Sequence, residues 1–117
     1  MVKTFTLVLG VVLLAVGVLG VLTGGHNHNL IIFGINATHN AVHLLSGVVA
    51  ILAALGGAGY AKLYCLVFGA VYGVVTIAGL LSVGAAVTLL NLNMADNGLH
   101  LLISAACLYV GATAKTS

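Results

Sequence analysis

The chain has 117 residues, of which 62% are hydrophobic and 3% charged, with a net charge of +2. So few charged and polar side chains cannot coat a domain in water, which excludes a soluble globular protein and places the chain in the membrane class. Lys3, Lys62 and Lys115 stand against Asp96 alone, so no basic patch exists and nucleic acid is excluded as a partner.

A bilayer-crossing helix needs about 20 mainly apolar residues. In chain order this predicts four spans, at roughly Phe5–Thr23, Asn36–Gly57, Ala61–Ser82 and Asp96–Thr113. The first also has the layout of a signal peptide, with Lys3 ahead of an apolar core. That core is long for the role and no clear small-residue cleavage site follows, so the segment is expected to be retained as a span. The loop "GGHNHN", with His26 and His28, reads as a polar turn. "LIIFGI", Leu30 to Ile35, is apolar for a loop and is expected either to extend the second helix or to rest in the membrane interface. Proline is absent, which favours unbroken helices. Cys65 and Cys107 fall inside apolar segments and read as buried thiols, not as a disulfide or a metal pair. Tyr60, Tyr64 and Tyr109 suit interfacial anchoring, while Tyr72 lies deeper in the third span.

An even number of crossings puts all three lysines on one side of the bilayer. Lysine is enriched in cytoplasmic loops, so both termini are expected inside a prokaryotic plasma or photosynthetic membrane. Among 16 glycines, the pairs Gly20/Gly24 and Gly69/Gly73 have the small-xxx-small spacing that lets helices approach closely.

The second half repeats the first. "LVLGVVLLAVGVLGVL" from Leu7 aligns with "LVFGAVYGVVTIAGLL" from Leu66, setting Gly10 over Gly69 and Gly20 over Gly79. At a slightly shorter offset Asn36 falls over Asn93, His39 over Asp96, Asn40 over Asn97 and His43 over His100. Apolar matches arise easily in so restricted an alphabet; the polar ones carry the repeat. The expected fold is therefore all-α, a four-transmembrane-helix bundle in one domain, built from two like-oriented helical hairpins at about residues 5–57 and 61–114.

Asn36, His39, Asn40 and His43 lie at i, i+3, i+4 and i+7, on one face of a helix, and Asn93, Asp96, Asn97 and His100 repeat that face. Polar side chains at membrane depth are costly toward lipid, so both stripes should turn inward. If they meet, three imidazoles and one carboxylate converge. One reading is structural: the polar residues are interhelical hydrogen-bond glue, with Asn36 and Asp96 capping helices. A second is a metal site of His39, His43, Asp96 and His100, with Asn36, Asn40, Asn93 and Asn97 supporting the ligands; zinc suits this donor set. A third makes His43 and His100 axial ligands of a tetrapyrrole, haem or chlorophyll. A proton relay lacks titratable groups on the inner halves of the spans, and a zinc hydrolase lacks a spare carboxylate as base. The leading reading is a small accessory membrane protein that binds a metal or tetrapyrrole, alone, as a homo-oligomer or within a larger complex, and is more readily a binding protein than an enzyme.

The segments Asn36, His39, Asn40, His43, Leu44, Leu45, Gly47 and Asn93, Asp96, Asn97, His100, Leu101 resemble the signature of a family of small four-span bacterial and archaeal membrane proteins of unknown function. The likeness covers essentially the whole chain, with Ser104 standing where the first motif has glycine. It implies a four-helix membrane fold and marks these residues; it implies no activity.

Overall fold

The computed structural model describes residues 1–115. It has five helices and one short hairpin: α1 (Val2–Thr23), β1 (His28–Leu30), β2 (Phe33–Ile35), α2 (Ala37–Gly56), α3 (Ala58–Leu80), α4 (Gly84–Leu90) and α5 (Met94–Thr113). The helices α1, α2 and α3 are each long and apolar enough to cross a bilayer. Between α2 and α3 the chain reverses at Gly57, whose φ of 132° is open to glycine and strained for other residues.

The burial pattern is inverted relative to a water-soluble protein. Leu22, Leu55 and Val74 are 76%, 73% and 67% exposed, while Thr6, Asn40, Asp96, His39 and His100 are each buried to 2% or less. Beside an apolar cluster that includes Leu13, Ala50, Cys65 and Cys107, the interior holds these polar groups. An apolar exterior around them is costly in water and favourable in hydrocarbon, where polar groups must find partners within the protein. The fold is that of a multi-pass membrane protein.

Two helical hairpins make up the body: α1 packs along α2, and α3 along α5. Matching positions make matching contacts. A Cβ on Gly20 would strike the carboxamide of Asn40, and a Cβ on Gly79 would strike that of Asn97. Gly69 meets Cys107 and Leu108, as Gly10 meets Ala50 and Ile51. Where Gly47 lies against the Gly10 carbonyl, Ser104 instead donates its hydroxyl to the Gly69 carbonyl at 2.7 Å. Gly73 opposite makes room for that serine. Between the hairpins, Thr6 Oγ1 lies 3.3 Å from Cys65 Sγ near the starts of α1 and α3. The starts of α2 and α5 meet at the other end, so the two hairpins run in the same direction. We expect Gly79→Ala to displace Asn97 and lower stability by about 1–3 kcal/mol, the usual cost of overpacking. Unfolding in mixed micelles measures it, and Gly59→Ala, where a Cβ meets nothing within 4 Å, is the control.

The lysines gather at one end. Lys3 and Lys115 line one hollow with Met1 and Ala58, and Lys62 Nζ donates to the Ala114 carbonyl at 2.9 Å. Several expectations need correction. Leu30–Ile35 does not extend α2: it forms most of a hairpin in which His28 pairs with Ile35 and Leu30 with Phe33. Its tip, Ile31 and Ile32, is 86% and 62% exposed, which suits the interfacial alternative. The segment between α3 and α5 contains the short helix α4. Tyr60 and Tyr109 are exposed, but Tyr64 is buried inside the bundle and donates to the Ser46 carbonyl at 2.9 Å. Gly24 closes α1 at φ 118° beside its own His26 ring and touches no neighbouring helix. Cys65 and Cys107 are free and buried.

Candidate metal centre

Each polar stripe begins with an asparagine cap. Asn36 Oδ1 accepts the His39 N–H at 2.9 Å, and Asn93 Oδ1 accepts the Asp96 N–H at 2.9 Å. A side-chain oxygen satisfying an orphan amide of the first turn fixes where each helix starts. With the starts fixed, the helical period turns His39, Asn40 and His43 inward on α2, and Asp96, Asn97 and His100 inward on α5.

Three imidazoles meet. The His39 ring centre lies 4.5 Å from that of His43 and 5.5 Å from that of His100, and the latter two are 6.2 Å apart. One nitrogen from each ring can be chosen so that all three lie within 4.8 Å of one another. His39 Nδ1 is 2.9 Å from the Leu90 carbonyl oxygen at the end of α4. A carbonyl only accepts, so the proton sits on Nδ1 and Nε2 carries the lone pair. His39 Nε2, both nitrogens of His43 and His100 Nδ1 are buried without a hydrogen-bond partner. Each buried orphan costs about 1–3 kcal/mol, so this concentration of them is expensive for the fold and calls for a ligand.

Asp96 is not part of this constellation. Its Oδ2 accepts the Asn93 N–H at 2.9 Å, completing a reciprocal capping box. Asn36 and Asn93 are occupied elsewhere too. Asn36 Nδ2 donates to the Leu89 carbonyl at 2.9 Å and to Asn27 Oδ1 at 3.1 Å, and Asn93 Nδ2 donates to the Ile32 carbonyl at 3.0 Å. Asn40 and Asn97 press against Gly20 and Gly79, with both polar atoms of Asn40 and Oδ1 of Asn97 buried and unpartnered among the described residues. None of the four bonds an imidazole nitrogen among the described residues. His26 and His28 sit apart in the lid, with ring centres 4.4 Å from each other.

Two features of the site go beyond the sequence reading. Tyr72 places its ring 5.5 Å from His100, with its hydroxyl buried and unpartnered. The only hint in the sequence is a tyrosine deep in an apolar span where the other repeat has Leu13. The second feature is the Leu90 carbonyl, which has no side-chain signature at all. Beside the rings lies a cavity of about 140 Å³, lined by Val42, Phe68, Val71, Tyr72 and the three histidines.

The whole of this arrangement falls inside one family match. Comparison with known protein families aligns residues 3–113 with a domain of unknown function, DUF4383. The chain belongs to the DUF4383 family. No curated protein and no solved structure matches it. The DUF4383 match includes every helix that positions the histidines, together with the hairpin and α4 above them. What this DUF4383 protein offers chemically is a buried triad of nitrogen donors, one of them oriented by a backbone carbonyl, that could hold a metal.

Proposed function

We propose that this protein is a four-span membrane protein that binds a Zn²⁺-class transition metal ion through His39, His43 and His100. The observation that carries the reading is His39, whose Nδ1–H is spent on Leu90, leaving the lone pair on Nε2 buried without a partner in a cluster of three imidazoles. Metal-ligating histidines commonly donate their second nitrogen to a carbonyl or carboxylate in this way. Zinc–nitrogen bonds of about 2.0–2.1 Å in a tetrahedral set put ligand nitrogens about 3.4 Å apart. Metal binding would draw the three nitrogens inward from their present spread, within 4.8 Å of one another. Imidazole donors suit zinc, copper, iron and nickel.

The fourth span is α5. It has 20 residues, about 30 Å of helix, and the residues that reduce its hydropathy, Asp96, Asn97 and His100, are buried within the bundle. With four crossings the lysine end lies in the cytoplasm and the histidines near the outer face, by the bias of lysine toward the inside.

Competing readings have less support. The glue reading accounts for Asn36, Asn93, Asp96 and one nitrogen of His39, which cap helices or bond to α4 and the hairpin, but leaves His43 and His100 Nδ1 without partners. A tetrapyrrole between His43 and His100 would need the space taken by His39, and the adjoining cavity of about 140 Å³ is well below the roughly 300–1,000 Å³ typical of such ligand sites. Hydrolysis would need a general base, and the carboxylate of Asp96 is already holding the Asn93 amide.

The test is metal analysis of the detergent-solubilised protein, stripped with chelator and reloaded with Zn²⁺ or with Co²⁺ as a coloured probe. The expected result is one ion per chain with the visible bands of a low-symmetry Co²⁺ site. His100→Ala should abolish binding and His28→Ala should leave it intact. Folded protein that takes up neither ion in a saturable way would overturn the reading.

A further inference from the structure

We propose that the cavity beside His43, His100 and Tyr72 binds the ring of a lipid-soluble quinone, or of its quinol, admitted from the bilayer between α2 and α3. This rests on the membrane reading above and concerns the metal-free protein, since His43 and His100 are also the proposed metal ligands.

Access from the water end is closed. The hairpin and α4 form a lid stitched by Asn36 to the Leu89 carbonyl, Asn91 Nδ2 to the Ile35 carbonyl at 3.0 Å, Asn93 to the Ile32 carbonyl and His39 to the Leu90 carbonyl. Access from the side is open and apolar. The cavity is walled by Val42 and Leu45 of α2 and by Phe68, Val71 and Val75 of α3, and Leu45 and Val71 also show on the outer surface of the helices. A solute arriving by this route comes out of hydrocarbon, so it is neutral and lipid-soluble.

Size and chemistry narrow the class. An apolar cavity of about 150 Å³ accommodates one benzene ring, and this one measures about 140 Å³. A fused sterol or a macrocycle is too large for it. A plain acyl chain would fill it but leave His43 Nδ1 and Nε2, His100 Nδ1 and the Tyr72 hydroxyl still buried and unpaired. A charged headgroup finds no opposite charge among the residues lining the cavity. A six-membered ring with an oxygen at each end satisfies what remains. A neutral imidazole presents one N–H and one lone pair, so quinone oxygens accept from it and quinol hydroxyls donate to it. Phe68 and Tyr72 supply aromatic faces for the ring.

The repeat supplies an internal control. A second cavity, of about 250 Å³, lies between α1 and α5, with Val16, Leu99 and Asp96 at the positions that match Val75, Val42 and His39. His43 borders both cavities. In the second, the acid at the His39 position is engaged by its own capping box, so His43 alone offers free nitrogens.

The experiment uses the full chain in phosphatidylcholine nanodiscs with chelator present, titrated with decylubiquinone and read by tyrosine emission, since the chain has no tryptophan. The expected signal is a saturable quench above the linear background of membrane partitioning. It should weaken about tenfold or more in Val71→Phe, which blocks the mouth, and in His100→Leu, which removes a hydrogen-bond partner. Val16→Phe, in the second cavity, should leave it within about twofold, and Val42→Phe repeats the block in case Val71→Phe does not fold. Purely linear quenching of the parent overturns the inference, as does a saturable quench that neither blocking variant alters. Saturable quinone binding without zinc uptake would leave this inference standing and remove the metal reading; zinc uptake without quinone binding would do the reverse.

Discussion

His43→Leu is expected to make the metal-free protein more stable than its parent, by about 2 kcal/mol. Both ring nitrogens of His43 are buried and lack partners, and leucine removes those two orphans while filling similar space. The gain is specific to the chelated state. At a free concentration 100 times its dissociation constant, zinc stabilises a folded protein by about 2.7 kcal/mol, and that increment should appear in the parent and vanish in His43→Leu. The order of stability therefore inverts between chelator and zinc. Unfolding in mixed micelles under both conditions reads it directly. A His43→Leu protein less stable than its parent in chelator would show that the ring holds the bundle together and is not kept for a ligand.

Such an inversion has a general meaning. Side chains kept at the expense of stability, in a bundle otherwise well packed, are retained for what they bind. The contrast lies within the same repeat. Asn40 and Asn97, one residue beyond His39 and Asp96, also leave buried polar atoms unpartnered, but they fill the space left by Gly20 and Gly79 within each hairpin. The histidines instead meet between the hairpins, where the His39 and His100 ring centres lie 5.5 Å apart.

The sequence carried the long elements because each rests on a local signal. An uninterrupted apolar run marks a span, and the predicted limits fall within a few residues of α1, α2, α3 and α5. The equivalence of Gly20 with Gly79 and of Asn40 with Asn97 was legible as a repeat, but that each glycine packs against the asparagine of its own hairpin was not, because it depends on how the two helices approach. The lid was not legible. Strands of three residues leave no measurable period, so "LIIFGI" reads equally well as helix or interface. The inward face of α5 was readable, but the fate of its acid was not. Asp96 stands at a metal-ligand spacing from His100 and at a capping-box spacing from Asn93, and the choice between them depends on where α5 begins. Two site features were out of reach in different ways. Tyr72 is one aromatic among apolar neighbours, and the Leu90 carbonyl is backbone, placed by a left-handed turn at Asn91 with φ 51°.

That backbone carbonyl is the basis for the second large effect, which separates two residues the repeat makes equivalent. Asn36→Ala removes a helix cap, a bond to α4 and a bond to Asn27, and Asn93→Ala removes a helix cap and a bond to the hairpin tip. Each is expected to lose about 1–2 kcal/mol of stability. Their consequences for the metal should differ. Asn36 ties down the Leu89 carbonyl next to the Leu90 carbonyl that orients His39. Without that tie the end of α4 loosens, and His39 loses the acceptor that keeps Nε2 aimed inward. Loss of such a supporting contact typically costs 10–100-fold in metal affinity, and Asn36→Ala should weaken zinc by about that factor. Asn93 ties the lid at Ile32 instead, and its capping partner is Asp96, which touches no ligand. Asn93→Ala should therefore change zinc affinity by no more than about twofold. Competition titrations against a coloured chelator give both numbers. Equal losses in the two variants, or none in Asn36→Ala, would mean that His39 is held by the packing of α2 alone and that α4 has no part in the metal centre.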